Sequence, residues 1–121
     1  MGPIKVLIAD GDSASREGLR LILEDDLHIV AEARDSAQTF DLVVTFHPQV
    51  ILVDVHLPEV GGLEVVRQIK ARWPQIKLIV LTVFNECLDE ALAAGADGYL
   101  LKGGTPAELR EAIHRVVGSL T

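Results

Sequence analysis

Apolar residues in this chain fall into short, nearly unbroken runs, separated by stretches in which they recur every three or four positions. The runs at residues 4–9, 50–53 and 76–81 are nearly continuous in Val, Ile and Leu, as expected of strands buried on both faces. Residues 29–33 and 98–101 are two further strand candidates. Between the runs, Leu19, Ile22 and Leu23 share one helical face, as do Leu63, Val66, Ile69 and Trp73, and Leu109, Ile113, Val116 and Leu120.

Local chemistry marks where the helices begin and end. Thr105-Pro106-Ala107-Glu108 is a capping box with proline in the first turn. Pro74 stops the third helix after Trp73, and His47-Pro48 stops the second. Gly95 supplies a left-handed cap after the fourth, expected at residues 86–94. Five strand-then-helix units predict a parallel sheet covered by helices on both faces.

Composition narrows the function classes. At 121 residues the chain holds one domain, 1–121, with too little length for two cores. Aromatics are only 4%, so the core is aliphatic. A net charge of −7 opposes direct nucleic-acid binding, so DNA would be contacted only through an output domain outside this sequence. Cys87 is the single cysteine, which excludes an intramolecular disulfide or a zinc cluster. No run is long enough to span a bilayer. A cytoplasmic domain without membrane contact is the expectation.

In an open parallel sheet, ligands bind outside the carboxyl ends of the strands. Asp10, Gly11 and Asp12 follow the first strand, Asp54 the third, Thr82 the fourth and Lys102 the fifth. Crowded carboxylates repel unless they share a proton or a cation. Mg2+ suits such oxygen donors and keeps waters that a phosphate can replace. One carboxylate can then attack a phosphoryl donor, with lysine offsetting the charge and threonine bonding an oxygen. Singly, each residue reads better as a cap or loop residue; the convergence of four strand ends favours a site.

These residues carry a resemblance to a known family. Asp10 after Val6-Leu7-Ile8-Ala9, Asp54 within Ile51-Leu52-Val53-Asp54-Val55-His56-Leu57-Pro58, then Gly62, Thr82 and Lys102, resemble a response regulator receiver domain of CheY-like fold. Arg16-Glu17-Gly18-Leu19 and Ala96-Asp97-Gly98-Tyr99-Leu100-Leu101-Lys102 are most similar to the NarL/FixJ branch. The resemblance implies a five-stranded sheet of order 2-1-3-4-5 with helices on both faces. It implies Asp54 as phosphoryl acceptor, and Mg2+ held by Asp10, Asp54 and the backbone carbonyl of His56. Thr82 and Tyr99 become a switch pair, and Lys102 pairs with the phosphate. A sensor histidine kinase is the implied donor, and a homodimer is a further partner that the resemblance allows. No turnover of a separate substrate is implied.

Three positions depart from the family pattern. Gly11 stands where a second acid usually ligates the metal; Asp12, one residue on, either compensates through a water or simply starts the first helix. The stretch from Thr82 to Ala91 is about two residues shorter than usual, in a region where length changes are tolerated. Gly103 replaces a common proline after Lys102. The first departure leaves an alternative open: a pseudo-receiver that binds or dimerises without phosphorylation. Asp10-Gly11-Asp12 also resembles the first motif of haloacid-dehalogenase-type phosphatases, but no later acidic metal ligands follow Lys102 except Glu108 and Glu111 on a helix. A flavodoxin-like FMN carrier is opposed by the acidic first loop. His56 reads as a loop residue with only its backbone implicated, and Cys87 as an inert helix residue.

Overall fold

The computed structural model describes residues 2–84 and 87–118. Five strands alternate with five helices: β1 (Lys5–Ala9), α1 (Ser13–Leu23), β2 (His28–Ala33), α2 (Ser36–Phe46), β3 (Val50–Asp54), α3 (Gly62–Arg72), β4 (Lys77–Thr82), α4 (Leu88–Ala94), β5 (Gly98–Leu101) and α5 (Pro106–Gly118). All strand pairs are parallel, and the order is β2-β1-β3-β4-β5. This is the expected doubly wound sheet, with each strand within a residue of its predicted limits.

Alternation along the strands divides the core in two. Leu7, Ala9, Ile51, Val53, Leu78 and Val80 face α2, α3 and α4, meeting Val43, Val66, Ile69 and Ala91. Val6, Ile8, Val50, Leu52, Ile79 and Leu81 face the other way, meeting Leu23 of α1 and Leu109, Ile113 and Val116 of α5. Period-two side chains with both faces covered explain why these strands read as unbroken apolar runs.

The helix ends follow the local chemistry. Thr105 and Glu108 cap reciprocally, with Glu108 N–H donating to Thr105 Oγ1 at 3.1 Å and Thr105 N–H to Glu108 Oε1 at 3.2 Å. Gly95 closes α4 in the left-handed region at φ 104°. His47 ends α2 at φ 47°, a conformation unusual outside glycine. The expected start of α4 at Glu86 lies outside the described residues, as does Leu120; α4 runs from Leu88, with Cys87 at its N-cap rather than within the helix. Trp73 packs partly against the core, with the Arg72 guanidinium stacked 4.4 Å above its ring.

Candidate functional site

Register brings the polar strand ends together. Ala9 pairs with Val53, Asp54 with Leu81, and Thr82 with Leu101. Asp10, Asp54, Thr82 and Lys102 therefore leave the sheet side by side at its carboxyl edge. Lys102 Nζ lies 2.7 Å from Asp10 Oδ2 and 3.2 Å from Asp54 Oδ2, so one ammonium joins both carboxylates.

Asp10 is almost fully buried, at 1% exposure. Oδ2 also accepts from Ser15 Oγ at 2.6 Å, and Oδ1 accepts the Asp12 N–H at 2.9 Å. Burial alone pushes this carboxyl group up, but the bonds from Lys102, Ser15 and the Asp12 backbone together hold it below its ordinary value. Burial pulls the Lys102 ammonium down, whereas its bond to Asp10 and the negative charges of Asp10 and Asp54 raise it. Both groups are thus held charged by each other.

Asp54 Oδ1 accepts the His56 N–H at 3.1 Å, leaving the His56 side chain exposed in the loop. Close behind, Gly62 opens α3 directly under the strand end. A Cβ there would run into the Asp54 carbonyl oxygen, so only glycine lets α3 approach this closely. Thr82 is fully buried, and its hydroxyl donates to the Phe84 carbonyl at 2.8 Å and accepts the Phe84 N–H at 3.3 Å. The Tyr99 hydroxyl lies 3.5 Å from the same carbonyl and accepts the Cys87 N–H at 3.1 Å. Thr82 and Tyr99 therefore meet through one loop carbonyl.

Asp12 is the N-cap of α1, its Oδ1 accepting the Ala14 N–H at 3.3 Å. It starts the helix, as one of its two expected roles required. Gly11 is not in the left-handed region, which among the described glycines holds only Gly61, Gly95 and Gly103. Gly11 is small because the Pro58 ring lies against it: a Cβ at this position would come within 2.7 Å of Pro58 Cδ. Gly103, at φ 87°, adopts a conformation closed to the proline common there.

The donor set suits a hard cation in reduced form. Asp10 and Asp54 each keep an Oδ1 engaged only by a backbone N–H, and two carboxylate oxygens plus retained waters fit Mg2+. Among the described residues no group of three or more His, Cys, Asp or Glu clusters in a metal-holding arrangement. Ser15 was not singled out from the sequence, and Arg16 entered only within the run that carries the resemblance, with no role at the site. Arg16 donates to the Asp10 carbonyl at 2.7 Å and lies 3.6 Å from Glu32. The signal was there: a helix starting at residue 13 puts both residues in its first turn, beside the end of β1.

Residues 6–114 match the family model of the response regulator receiver domain. The chain belongs to this family. Curated relatives include the transcriptional regulatory protein DegU of Brevibacillus brevis, 35% identical over 91% of this chain and 48% of that protein. The receiver domain spans about half the length of the curated relatives it matches first. Among solved structures, the signal receiver domain of the putative regulator NarL from Mycobacterium tuberculosis superimposes with a TM-score of 0.91, at 25% identity and 98% coverage of both chains. The isolated receiver domain of RcsB from Salmonella enterica serovar Typhimurium, solved with the phosphomimetic BeF3-, gives a TM-score of 0.84 at 28% identity, covering 93% of this chain and 86% of that one. Solved neighbours also include two-component regulators of the LuxR family. A receiver domain is a signalling module of two-component systems rather than a turnover enzyme, and receivers generally use Mg2+. No helix among the described residues is long and apolar enough to cross a membrane.

Proposed function

We propose that this receiver domain accepts a phosphoryl group on Asp54 from a sensor histidine kinase and signals through the β4–α4 loop. The observation that carries the reading is the single Lys102 ammonium between Asp10 and Asp54, 2.7 and 3.2 Å away. In the transfer, an Asp54 carboxylate oxygen forms a new bond to phosphorus. The bond from phosphorus to the donor's imidazole nitrogen breaks, and that nitrogen keeps the electron pair. The product is an aspartyl phosphate and a neutral donor histidine.

Lys102 offsets the charge on the transferring group. The His56 N–H holds one Asp54 oxygen in place while the other reacts. Asp10, Asp54 and the His56 carbonyl would hold Mg2+, with Asp12 reaching it through water. When bound, Mg2+ supplies positive charge to the phosphoryl oxygens. To reach a phosphoryl oxygen, the Thr82 hydroxyl must leave the Phe84 carbonyl. That carbonyl is shared with Tyr99, so the loop and the Tyr99 ring respond together. A pseudo-receiver reading, motivated by Gly11, has no observation in its favour. The kinase donor implies a cytoplasmic site of action, DNA is reached only through an output domain as in longer relatives, and a homodimer is the assembly to look for.

The test uses acetyl phosphate and Mg2+. The protein gains one acid-stable, base-labile phosphoryl group, as acetate leaves, and Asp54→Asn abolishes the gain. The same modification on Asp54→Asn by mass spectrometry would refute Asp54 as acceptor.

A further inference from the structure

The loop between β3 and α3 carries the groups that orient Asp54. Besides the His56 bond to the carboxylate, the Leu57 N–H donates to the Asp54 carbonyl at 3.0 Å. What holds this loop lies two residues further on. Glu59 Oε1 accepts from both Ser36 Oγ and the Ala37 N–H at 2.8 Å, and Ser36 Oγ in turn accepts the Val60 N–H at 3.3 Å. The Pro58 carbonyl takes the Ser36 N–H at 3.2 Å, and the Pro58 ring rests against Gly11. Ser36 is buried, at 3% exposure, so the anchor is set into the body of the domain.

Two facts separate this latch from ordinary helix capping. Helix α2 already has its own cap, Asp35, whose carboxylate accepts the Gln38 N–H at 2.8 Å. Glu59 also sits at φ 79°, where a side chain is disfavoured and glycine would be more comfortable. Reaching from a strained position in another loop to a second first-turn donor and to a buried serine, the Glu59 carboxylate ties its own loop to α2.

We infer that Glu59 is a positioning residue for the Asp54 site, fixing the β3–α3 loop against the start of α2 so that the His56 amide and the Asp54 carboxylate keep their geometry. This rests on the proposed phosphoryl transfer, and it adds a residue that touches no reacting atom. The contact couples three segments: the β1–α1 loop through Gly11, the β3–α3 loop, and the first turn of α2 through its buried Ser36.

Two substitutions separate the carboxylate from the backbone. Glu59→Gly keeps the positive φ free of strain and removes the latch. Glu59→Gln keeps an oxygen that can accept the same two bonds. Amide hydrogen exchange at His56 and Val60, read by NMR on the unphosphorylated protein, reports loop order directly. Acetyl phosphate labelling reports its consequence. Glu59→Gly should lose protection at both amides and label about tenfold more slowly, since misplacement near 1 Å costs rate steeply. Glu59→Gln should recover most of both. Wild-type exchange and labelling in Glu59→Gly would overturn the inference, as would a Gln variant no better than Gly. A wild-type protein that takes no label would sink the acceptor reading instead, and the exchange at His56, which needs no phosphodonor, would still decide the role of Glu59.

Discussion

Placing a side chain at Gly11 tests how the two site loops fit together. A Cβ there would stand 2.7 Å from Pro58 Cδ and 2.8 Å from Cγ, about 1 Å inside ordinary carbon contact. A proline ring cannot rotate away, and its loop is tied to Ser36 through Pro58, Glu59 and Val60. The loop must shift, and overpacking of this kind costs about 1–3 kcal/mol. In a domain of this size that lowers the melting temperature by about 4–12 °C. Gly11→Ala should show this steric loss alone. Gly11→Asp adds a charge beside Asp10 and Asp12 at an exposed position, costing about 1 kcal/mol more without metal. It also adds a ligand, so Mg2+ should restore its melting temperature more than that of Gly11→Ala. Differential scanning calorimetry in chelator and in Mg2+ reads both effects. A Gly11→Ala melting point within about 1 °C of wild type would refute the packing argument. Equal Mg2+ gains in the two variants would refute the vacant-ligand argument.

Two further outcomes follow from single residues. Gly18 lies inside α1 with nothing within 4 Å of an added Cβ, so Gly18→Ala should stabilise by about 1 kcal/mol, visible as a raised thermal midpoint; no gain would mean the helix there is not regular. In metal-free buffer, the depressed Asp10 carboxyl group contributes stability that is present above its unfolded value, and this is lost as pH falls through the lower folded value. The raised Lys102 contributes stability present below its unfolded value and lost as pH rises through the higher folded one. Urea midpoints should therefore drop at both extremes, and Asp10→Asn should flatten the acid limb; an unchanged acid limb in that variant would place the titrating group elsewhere.

The sheet was legible because burial on both faces writes itself as unbroken apolar runs, and the topology then puts all strand ends on one edge. Asp10, Asp54 and Lys102 were legible for the same reason: charged residues directly after such runs have only that edge to occupy. The environment of each was not. Nothing in Asp10-Gly11-Asp12 says that the Asp12 side chain caps α1, since an aspartate before a helix serves either purpose. The Gly11 substitution reads as a lost ligand in the sequence and as a packing contact in the structure, because Pro58 is 47 positions away along the chain. Thr82 reads from the sequence as a partner for a phosphoryl oxygen, and nothing there says that in the unphosphorylated protein its hydroxyl bonds the loop two residues on. Glu59 carries no motif at all; its part depends on a buried serine that begins another helix.

Charge at the strand ends also says when a metal should matter. Asp10 and Asp54 against Lys102 leave the resting centre with one net negative charge, close enough to neutral for the ammonium to satisfy both carboxylates. A second acid at residue 11 would leave more negative charge and make a divalent cation valuable even at rest. Under the proposed function, phosphorylation replaces the single charge of the Asp54 carboxylate with about −2 at neutral pH, doubling the net negative charge of the centre, which one lysine already bonded to a buried aspartate cannot offset. The absence of the second acid thus moves the demand for Mg2+ from the resting to the phosphorylated state. Beryllofluoride, carrying comparable negative charge on Asp54, should then tighten Mg2+ binding, and by linkage Mg2+ should tighten beryllofluoride by the same factor. Isothermal titration of each in the presence and absence of the other measures that factor twice. Gly11→Asp should reduce it, because the resting site then already favours the ion. A factor near one in the wild-type protein would mean that Lys102 alone carries the charge of both states.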